Sequence, residues 1–376
     1  MIFQIASLIL FLIYAILITA ITVGWWRLKV FGSSQTPHFV KVSAVIAARN
    51  EAGNISALLK SLMNQNYPSE NFEIIIVDDH STDTTSLRVE EFISQNKGVH
   101  KLKLITLSGD AGSGKKAALS AGINESVGEL IVITDADCTA GNAWILTLAT
   151  AYQKNKPQMI LGPVRMTGDG SFFTKFQSLE FMSLISSAAG SCNAGFPILA
   201  NGANIAFTRQ AYESCGGFTG NMQYPSGDDM FLMMSIKKKF GAHSIQFLRS
   251  EDAIVKTPAT KGLQAFIQQR MRWVSKSRGY TDPILIATSI TVFLANTLLV
   301  VTAAAAFFFP EYGRLFLILY GLKLLVDLPL MLSYSRFERS RSLLWLYPLL
   351  ELLNAVYTLG IGIAGNVGKY EWKGRK

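Results

Sequence analysis

The sequence predicts an α/β domain, a parallel sheet with helices on both faces, flanked by transmembrane helices. Three observations carry that prediction. Short β-branched apolar runs alternate with helical stretches through the middle of the chain. Long apolar segments stand before and after them. Of the 376 residues 49% are hydrophobic and only 16% charged, against roughly a quarter charged in a soluble domain, so part of the chain is not solvated by water.

Residues 2–23 are uncharged and long enough to cross a hydrocarbon core, which takes about 20 residues. A cleaved signal peptide would need a basic leader, and no Lys or Arg precedes Arg27. Trp25, Trp26, Arg27 and Lys29 border the segment, so the positive-inside rule puts the N-terminus outside and the following domain in the cytoplasm. Residues 283–309 form a second uncharged span. A third, 315–335, carries Lys323 and Asp327 four apart on one helix face, where they can form a structural ion pair. A fourth, 343–365, carries Glu351. Arg336, Arg339 and Arg341, between the third and fourth, fit a cytoplasmic loop. A full fourth span would leave Lys369, Lys373, Arg375 and Lys376 outside, against the rule; a re-entrant or interfacial segment is the alternative.

In the middle, 42–48, 73–78, 103–107 and 129–134 read as strands, with helices over 52–65, 82–95 and 115–126 between them. Such alternation makes a parallel sheet, and ligands bind beyond the carboxyl ends of its strands. The residues at those ends are Arg49-Asn50-Glu51, Asp78-Asp79-His80 and Asp135-Ala136-Asp137. Acidic groups at three strand ends suit a cation-dependent phosphate site. Asp135 and Asp137 offer hard oxygen ligands to Mg2+ or Mn2+, although a lone pair of this spacing also occurs in solvated turns.

Asp228 and Asp229 precede an apolar helical run. They read either as an N-cap at the helix dipole or as a general base for an acceptor hydroxyl. Leu263, Phe266, Ile267, Met271 and Val274 recur at helical spacing around Gln269, Arg270, Arg272 and Trp273, which predicts an amphipathic helix on the membrane surface over 256–281. Gly109 to Lys115 matches a phosphate-binding loop, but Lys116 stands where Ser or Thr would bind Mg2+.

The net charge of +9 is distributed beside the apolar segments, which suits anionic headgroups and argues against nucleic acid as partner. Cys138, Cys192 and Cys215 have no metal-ligand spacing and imply no disulfide framework.

Taken together these residues resemble the family 2 glycosyltransferases of the GT-A fold, in the membrane branch with cellulose, chitin and hyaluronan synthases and ceramide glucosyltransferase. Five landmarks stand in the family's order: Ala48-Arg49-Asn50-Glu51, Val77-Asp78-Asp79-His80-Ser81-Thr82-Asp83, Asp135-Ala136-Asp137, Gly227-Asp228-Asp229, and Gln269 to Trp273 as Q-x-x-R-W. Gly114-Lys115 with Ala118-Leu119 matches a further family segment, and so does Asn201-Gly202-Ala203-Asn204. The resemblance implies a mixed, mostly parallel sheet over 40–255, an N-terminal transmembrane helix over 1–26, and two to three further spans over 283–366. It implies that Ala48, Asn50, Glu51, Asp79 and Lys115 line the nucleotide-sugar pocket, with Asp79 at the uracil edge. Asp135 and Asp137 would serve nucleoside and metal, Asp229 would be the base with Asp228 beside it, and Gln269, Arg272 and Trp273 would hold diphosphate and acceptor.

The expected activity is inverting transfer from a UDP-sugar to a lipid or lipid-linked saccharide, with a divalent cation, Mg2+ or Mn2+, as cofactor. The expected site is the cytoplasmic face of a bacterial inner membrane, with membrane lipids and membrane partner subunits around the chain. Processive polysaccharide synthesis is the runner-up, but few spans are available for a pore. An ATPase built on the glycine-rich loop lacks its Ser or Thr, and a catalytically inactive scaffold would have no need of Asp79, Asp135, Asp137 and Asp229 together.

Overall fold

The computed structural model describes residues 2–32, 38–96, 100–108, 113–224 and 226–367. The basic tail from Lys369 onward, residues 109–112 of the glycine-rich loop, and Pro225 lie outside the described residues. In chain order the elements begin α1 (Ile2–Arg27), β1 (Val42–Ala48), α2 (Ile55–Met63), β2 (Phe72–Asp78), α3 (Thr85–Gln95), β3 (Lys101–Thr106) and α4 (Lys115–Glu125). They continue with β4 (Leu130–Ile133), β5 (Thr139–Ala140), α5 (Trp144–Asn155), β6 (Met159–Leu161), β7 (Val164–Thr167), α6 (Phe172–Asn193), β8 (Ile205–Thr208) and α7 (Arg209–Ser214). The last are α8 (Asp228–Phe240), β9 (Ile245–Phe247), β10 (Val255–Pro258), α9 (Leu263–Ser275), α10 (Pro283–Ala305), α11 (Pro310–Phe337) and α12 (Tyr347–Val367). Two compact units result: a sheet unit, Lys29–Thr167 with Leu199–Pro258, and a helical unit, Met1–Leu28 with Gly168–Ile198 and Ala259–Lys376.

The sheet unit holds a seven-stranded sheet in the order β3-β2-β1-β4-β8-β6-β9. β1, β2, β3 and β4 run parallel, β8 runs antiparallel to β4 and β6, and β9 is parallel to β6. The sheet is therefore mixed and mostly parallel, as expected. β2 and β4 are buried throughout and β1 nearly so, which is why they read as continuous apolar runs. β3 alternates instead, with Lys101 and Lys103 exposed; it begins two residues earlier than its apolar pattern suggests. Lysines on that outer strand oppose pairing with other chains. A second sheet, β5-β10-β7, continues directly from the turn after β4.

α4 packs on β1 and β2 around Ile75, Val77, Leu107, Ala117 and Ala118. Gly122 permits the close approach: a Cβ there would stand 2.5 Å from Val45 Cγ1 and 2.9 Å from Val77 Cγ2. Asn204, 1% exposed, ties the two sheets together. Its Nδ2 donates to the carbonyls of Pro163 and Ala253, both at 2.8 Å, and its Oδ1 accepts from Trp144 Nε1 at 3.0 Å.

Among the described residues of the helical unit, four helices are long and apolar enough to cross a membrane: Ile2–Arg27, Pro283–Ala305, Pro310–Phe337 and Arg341–Asn366. α1 meets α6 at Gly24 and Gly190, where neither helix leaves room for a side chain. Trp25 fills the space against Tyr334 and Phe337 of α11, with ring centroids at 4.9 and 5.4 Å. Lys323 and Asp327 pair at 2.6 Å as their spacing suggests. The pair is extended by Glu351 of α12, 2.7 Å from Lys323, and by Tyr14 of α1, whose hydroxyl donates to Asp327 at 2.8 Å. Buried charge in apolar surroundings needs such partners.

One substitution sets two known effects against each other. Gly122→Ala gains about 1 kcal/mol of helix propensity, but overpacking against Val45 and Val77, both fully buried, costs about 1–3 kcal/mol. We expect a net loss of stability by chemical denaturation of the full chain; a gain would show that α4 can lift off the sheet without penalty.

Candidate active site

At the carboxyl ends of β1, β2 and β4 the sheet unit carries Glu51, then Asp78 and Asp79, then Asp135 and Asp137. Ala48 and Asp78 are register partners at the ends of β1 and β2. Beyond them the chain turns sharply, with Asn50 and His80 in the left-handed region at φ 51° and 57°. Asn and His tolerate that conformation better than most residues. Asn50 Oδ1 accepts from the Thr82 amide at 2.8 Å, and Asn50 N donates to Ser81 Oγ at 3.0 Å. Arg49 Nη1 reaches the carbonyls of Asp79 and His80. Glu51 is buried, and its carboxylate accepts from Asn54 Nδ2 at 2.7 Å. The two loops are thus knit into one rim.

Gly114 and Lys115 link this rim to the next strand end. The Gly114 amide donates to both carboxylate oxygens of the buried Asp79, each at 3.1 Å. Lys115, first residue of α4, places Nζ 2.6 Å from Asp135 Oδ1 and 3.4 Å from Asp228 Oδ2. Burial opposes the lysine's charge, but the carboxylates of Asp135, Asp228 and Asp229 outweigh it and hold the ammonium well above the usual lysine range. Lys116 turns the other way. Its Nζ donates to the carbonyls of Asn221 and Tyr224 at 2.6 and 2.9 Å, over the Phe231 ring. A buried ammonium pinning a backbone segment does not serve as a Mg2+ ligand, which disposes of the ATPase loop.

Asp228 and Asp229 are not N-caps. α8 is capped by Gly227 at φ 87°, and both aspartates lie in its first turn. Asp229 Oδ1 accepts from the Met230 amide at 2.7 Å and Oδ2 from the Gly202 amide at 3.1 Å. Gly202 also lies close to Lys115 and Asp228: a Cβ there would stand 3.1 Å from Lys115 Nζ and 3.4 Å from Asp228 Oδ2. Asp228 is buried against Lys115, whereas Asp229 is half-buried.

Asp135, Asp137 and Cys138 bring one ligand atom each within 4.8 Å of one another. Burial, with the two aspartates adding to it, pushes the Cys138 thiol well up, so it stays protonated. Two carboxylates among the three donors suit a hard divalent cation. One ammonium among Asp135, Asp137, Asp228 and Asp229 also leaves negative charge for a cation to offset.

Asn50, Glu51, Asp79, Lys115, Asp135, Asp137, Asp228 and Asp229 thus all belong to the sheet unit. Gln269, Arg272 and Trp273 belong to the helical unit, on α9. Reasoning from sequence overlooked Gly202 as a donor to the Asp229 carboxylate and Lys116 as the anchor of the Asn221–Tyr224 segment; the segment Asn201–Asn204 was the signal for the first. It also overlooked the buried pair of Arg270 and Glu180.

Residues 43–216 match the family model described as Glycosyl transferase family 2, and residues 130–358 match that described as Glycosyl transferase family group 2. The chain is 34% identical over 181 residues to "Probable glycosyltransferase YdaM" of Bacillus subtilis (strain 168), covering 47% of this chain and 43% of the relative. It is 32% identical over 187 residues to a "Beta-monoglucosyldiacylglycerol synthase" of Nostoc sp., covering 47% and 37%. The chain thus spans about two fifths of the length of these curated relatives. Among solved structures, a mannosyltransferase from Pyrobaculum calidifontis, in complex with GDP-Man and Mn2+, superposes with a TM-score of 0.61. The match has 19% identity and covers 93% of this chain and 98% of that one; it is a likeness of fold. With the second family model spanning more than half of the 376 residues and a mixed sheet typical of the GT-A fold, the chain belongs to glycosyl transferase family 2.

Proposed function

We propose that this protein is an inverting glycosyltransferase that moves a sugar from a UDP-sugar to a membrane-associated acceptor, a lipid or lipid-linked saccharide, on the cytoplasmic face of the plasma membrane. The single observation that carries the reading is the cluster in which Lys115 stands between Asp135 and Asp228, with Asp229 and Asp137 beside them. It puts a base candidate and a cation-binding pair around one point at the strand ends. The Nostoc relative, named as a glycolipid synthase, and the four apolar helices support a lipid acceptor.

In this reading Asp135 and Asp137 would hold Mg2+ or Mn2+, which when bound offsets charge on the departing diphosphate. Ala48, Asn50, Glu51 and Asp79 line the nucleotide end, and the Gly114 amide fixes the Asp79 carboxylate. Asp229, oriented by two backbone amides, takes the proton of the acceptor hydroxyl. The acceptor oxygen bonds to the anomeric carbon as that carbon's bond to the diphosphate oxygen breaks, and UDP leaves with the bonding pair. Asp228, paired with Lys115, keeps the lysine in place and leaves Asp229 as the base. The roles of Gln269, Arg272 and Trp273 at diphosphate and acceptor remain as the resemblance gives them.

Nucleotide release by detergent-purified protein, over a panel of UDP- and GDP-sugars with Mn2+, Mg2+ or EDTA and added lipid, tests the whole reading. Cation-dependent UDP release raised by a lipid fraction supports it, and the product's size separates single addition from polymerisation. Asp229→Asn is expected to abolish transfer, a loss of roughly a thousandfold or more for a catalytic base, with donor binding near wild type. Retained turnover in that variant would remove Asp229 from the mechanism. Asp137→Ala should instead weaken cation-dependent donor binding, read by calorimetry. Lys115→Met removes the ammonium that the cation would otherwise accompany. Its melting temperature should fall in EDTA and recover more with added Mn2+ than the wild type gains; equal Mn2+ shifts in the two proteins would separate Lys115 from the cation site.

A further inference from the structure

The segment Gln269 to Trp273 also carries Arg270. Arg270 is 1% exposed, a placement that is costly unless the charge is paired. Its Nη2 and Nε donate to Glu180 Oε2 at 2.6 Å and Oε1 at 3.2 Å, a forked contact that lysine cannot copy. The guanidinium carbon lies 4.6 Å from the Phe266 ring centroid and 4.1 Å from that of Trp273, within cation–π reach of both. Its remaining Nη1 donates to Gln269 Oε1. The same Oε1 accepts from Thr260 Oγ1 at 2.8 Å. Two donors on one amide oxygen fix which way the amide faces and leave Nε2 as its donating end. Thr260 is itself held by α6, because its backbone carbonyl and amide bond the Gln177 side chain, each at 3.0 Å. Gln177 and Glu180 are three apart, so one face of α6 grips both supports of Gln269. Tyr357 of α12 adds a hydroxyl 3.3 Å from Glu180 Oε1.

We propose that Arg270 and Glu180 are positioning residues that set Gln269 and Trp273 for transfer, with Gln177 and Thr260 as a second brace. The effect on transfer rests on the glycosyltransferase reading; the effect on α9 itself does not. A buried ion pair is weak evidence for stability, and apolar pairs of similar volume replace one with little loss or a gain. A purely structural pair would therefore tolerate Glu180→Leu with Arg270→Met, whereas a positioning pair would not.

The test uses the full chain in detergent. The Glu180→Leu/Arg270→Met double variant should melt near wild type and bind donor normally, yet transfer with kcat down roughly tenfold or more. Arg270→Lys and Gln269→Ala should each lose activity, and combined they should be no worse than the worse single, since both act through one amide. Wild-type kcat in the apolar variant, or losses that multiply in the combined one, overturns the proposal. Hydrogen exchange supplies a readout free of turnover. Peptides over 260–273 should exchange faster in Arg270→Lys while those of the sheet unit do not change, and unaltered exchange in 260–273 also overturns it. If the wild-type chain shows no transfer with any donor, the glycosyltransferase reading fails, and the exchange result alone decides whether Arg270 holds α9.

Discussion

The contact on which the sheet unit's chemistry depends is the ammonium of Lys115 between Asp135 and Asp228. Like charges converge at the ends of parallel strands because each strand stops where its polar loop begins. Without a cation among them, Asp135, Asp228 and Asp229 would repel one another across a partly buried space. Lys115 supplies that cation, and it can do so only because Gly122, two turns along α4, lets the helix lie close on β1 and β2. A packing constraint between a glycine and two valines therefore sets where a charge stands.

Adjacent residues divide the work at the start of α4. The Gly114 amide serves Asp79, the Lys115 side chain serves Asp135 and Asp228, and the Lys116 side chain holds the segment that leads into α8. Three consecutive residues thus coordinate the ends of β2 and β4 with the first turn of α8. The helical unit solves the same problem of crowded charge: Lys323 is shared by Asp327 and Glu351, and Arg270 is forked onto Glu180.

Much of this was legible in the sequence where burial leaves a local mark. β1, β2 and β4, buried on both faces, stand as apolar runs, and the carboxylates follow them directly. The long apolar helices and the Lys323–Asp327 spacing were equally plain. β3 was placed less well because a half-exposed outer strand mixes lysines into its pattern. The capping role considered for Asp228 and Asp229 failed because Gly227 occupies the cap, and propensity alone does not choose between neighbouring residues. Glu180, Glu351 and Tyr14 gave no signal as partners, since their contacts join residues far apart in the chain. Arg270 was hidden for a different reason: inside a basic, amphipathic stretch, a buried arginine and a solvated one look alike.

Those distant contacts also impose an order of events. Tyr14 and its partner Asp327 are separated by 313 residues. At ordinary synthesis rates of about 5–20 residues per second, roughly 15–60 s pass between the emergence of the first and of the second. Throughout that interval α1 exists without the helix that will receive its tyrosine, and Asp327 in turn waits for Glu351 to share its lysine. The face of α1 that carries Tyr14 must therefore remain available until Asp327 has been made, even though Gly24 on the same helix can meet Gly190 of α6 much earlier.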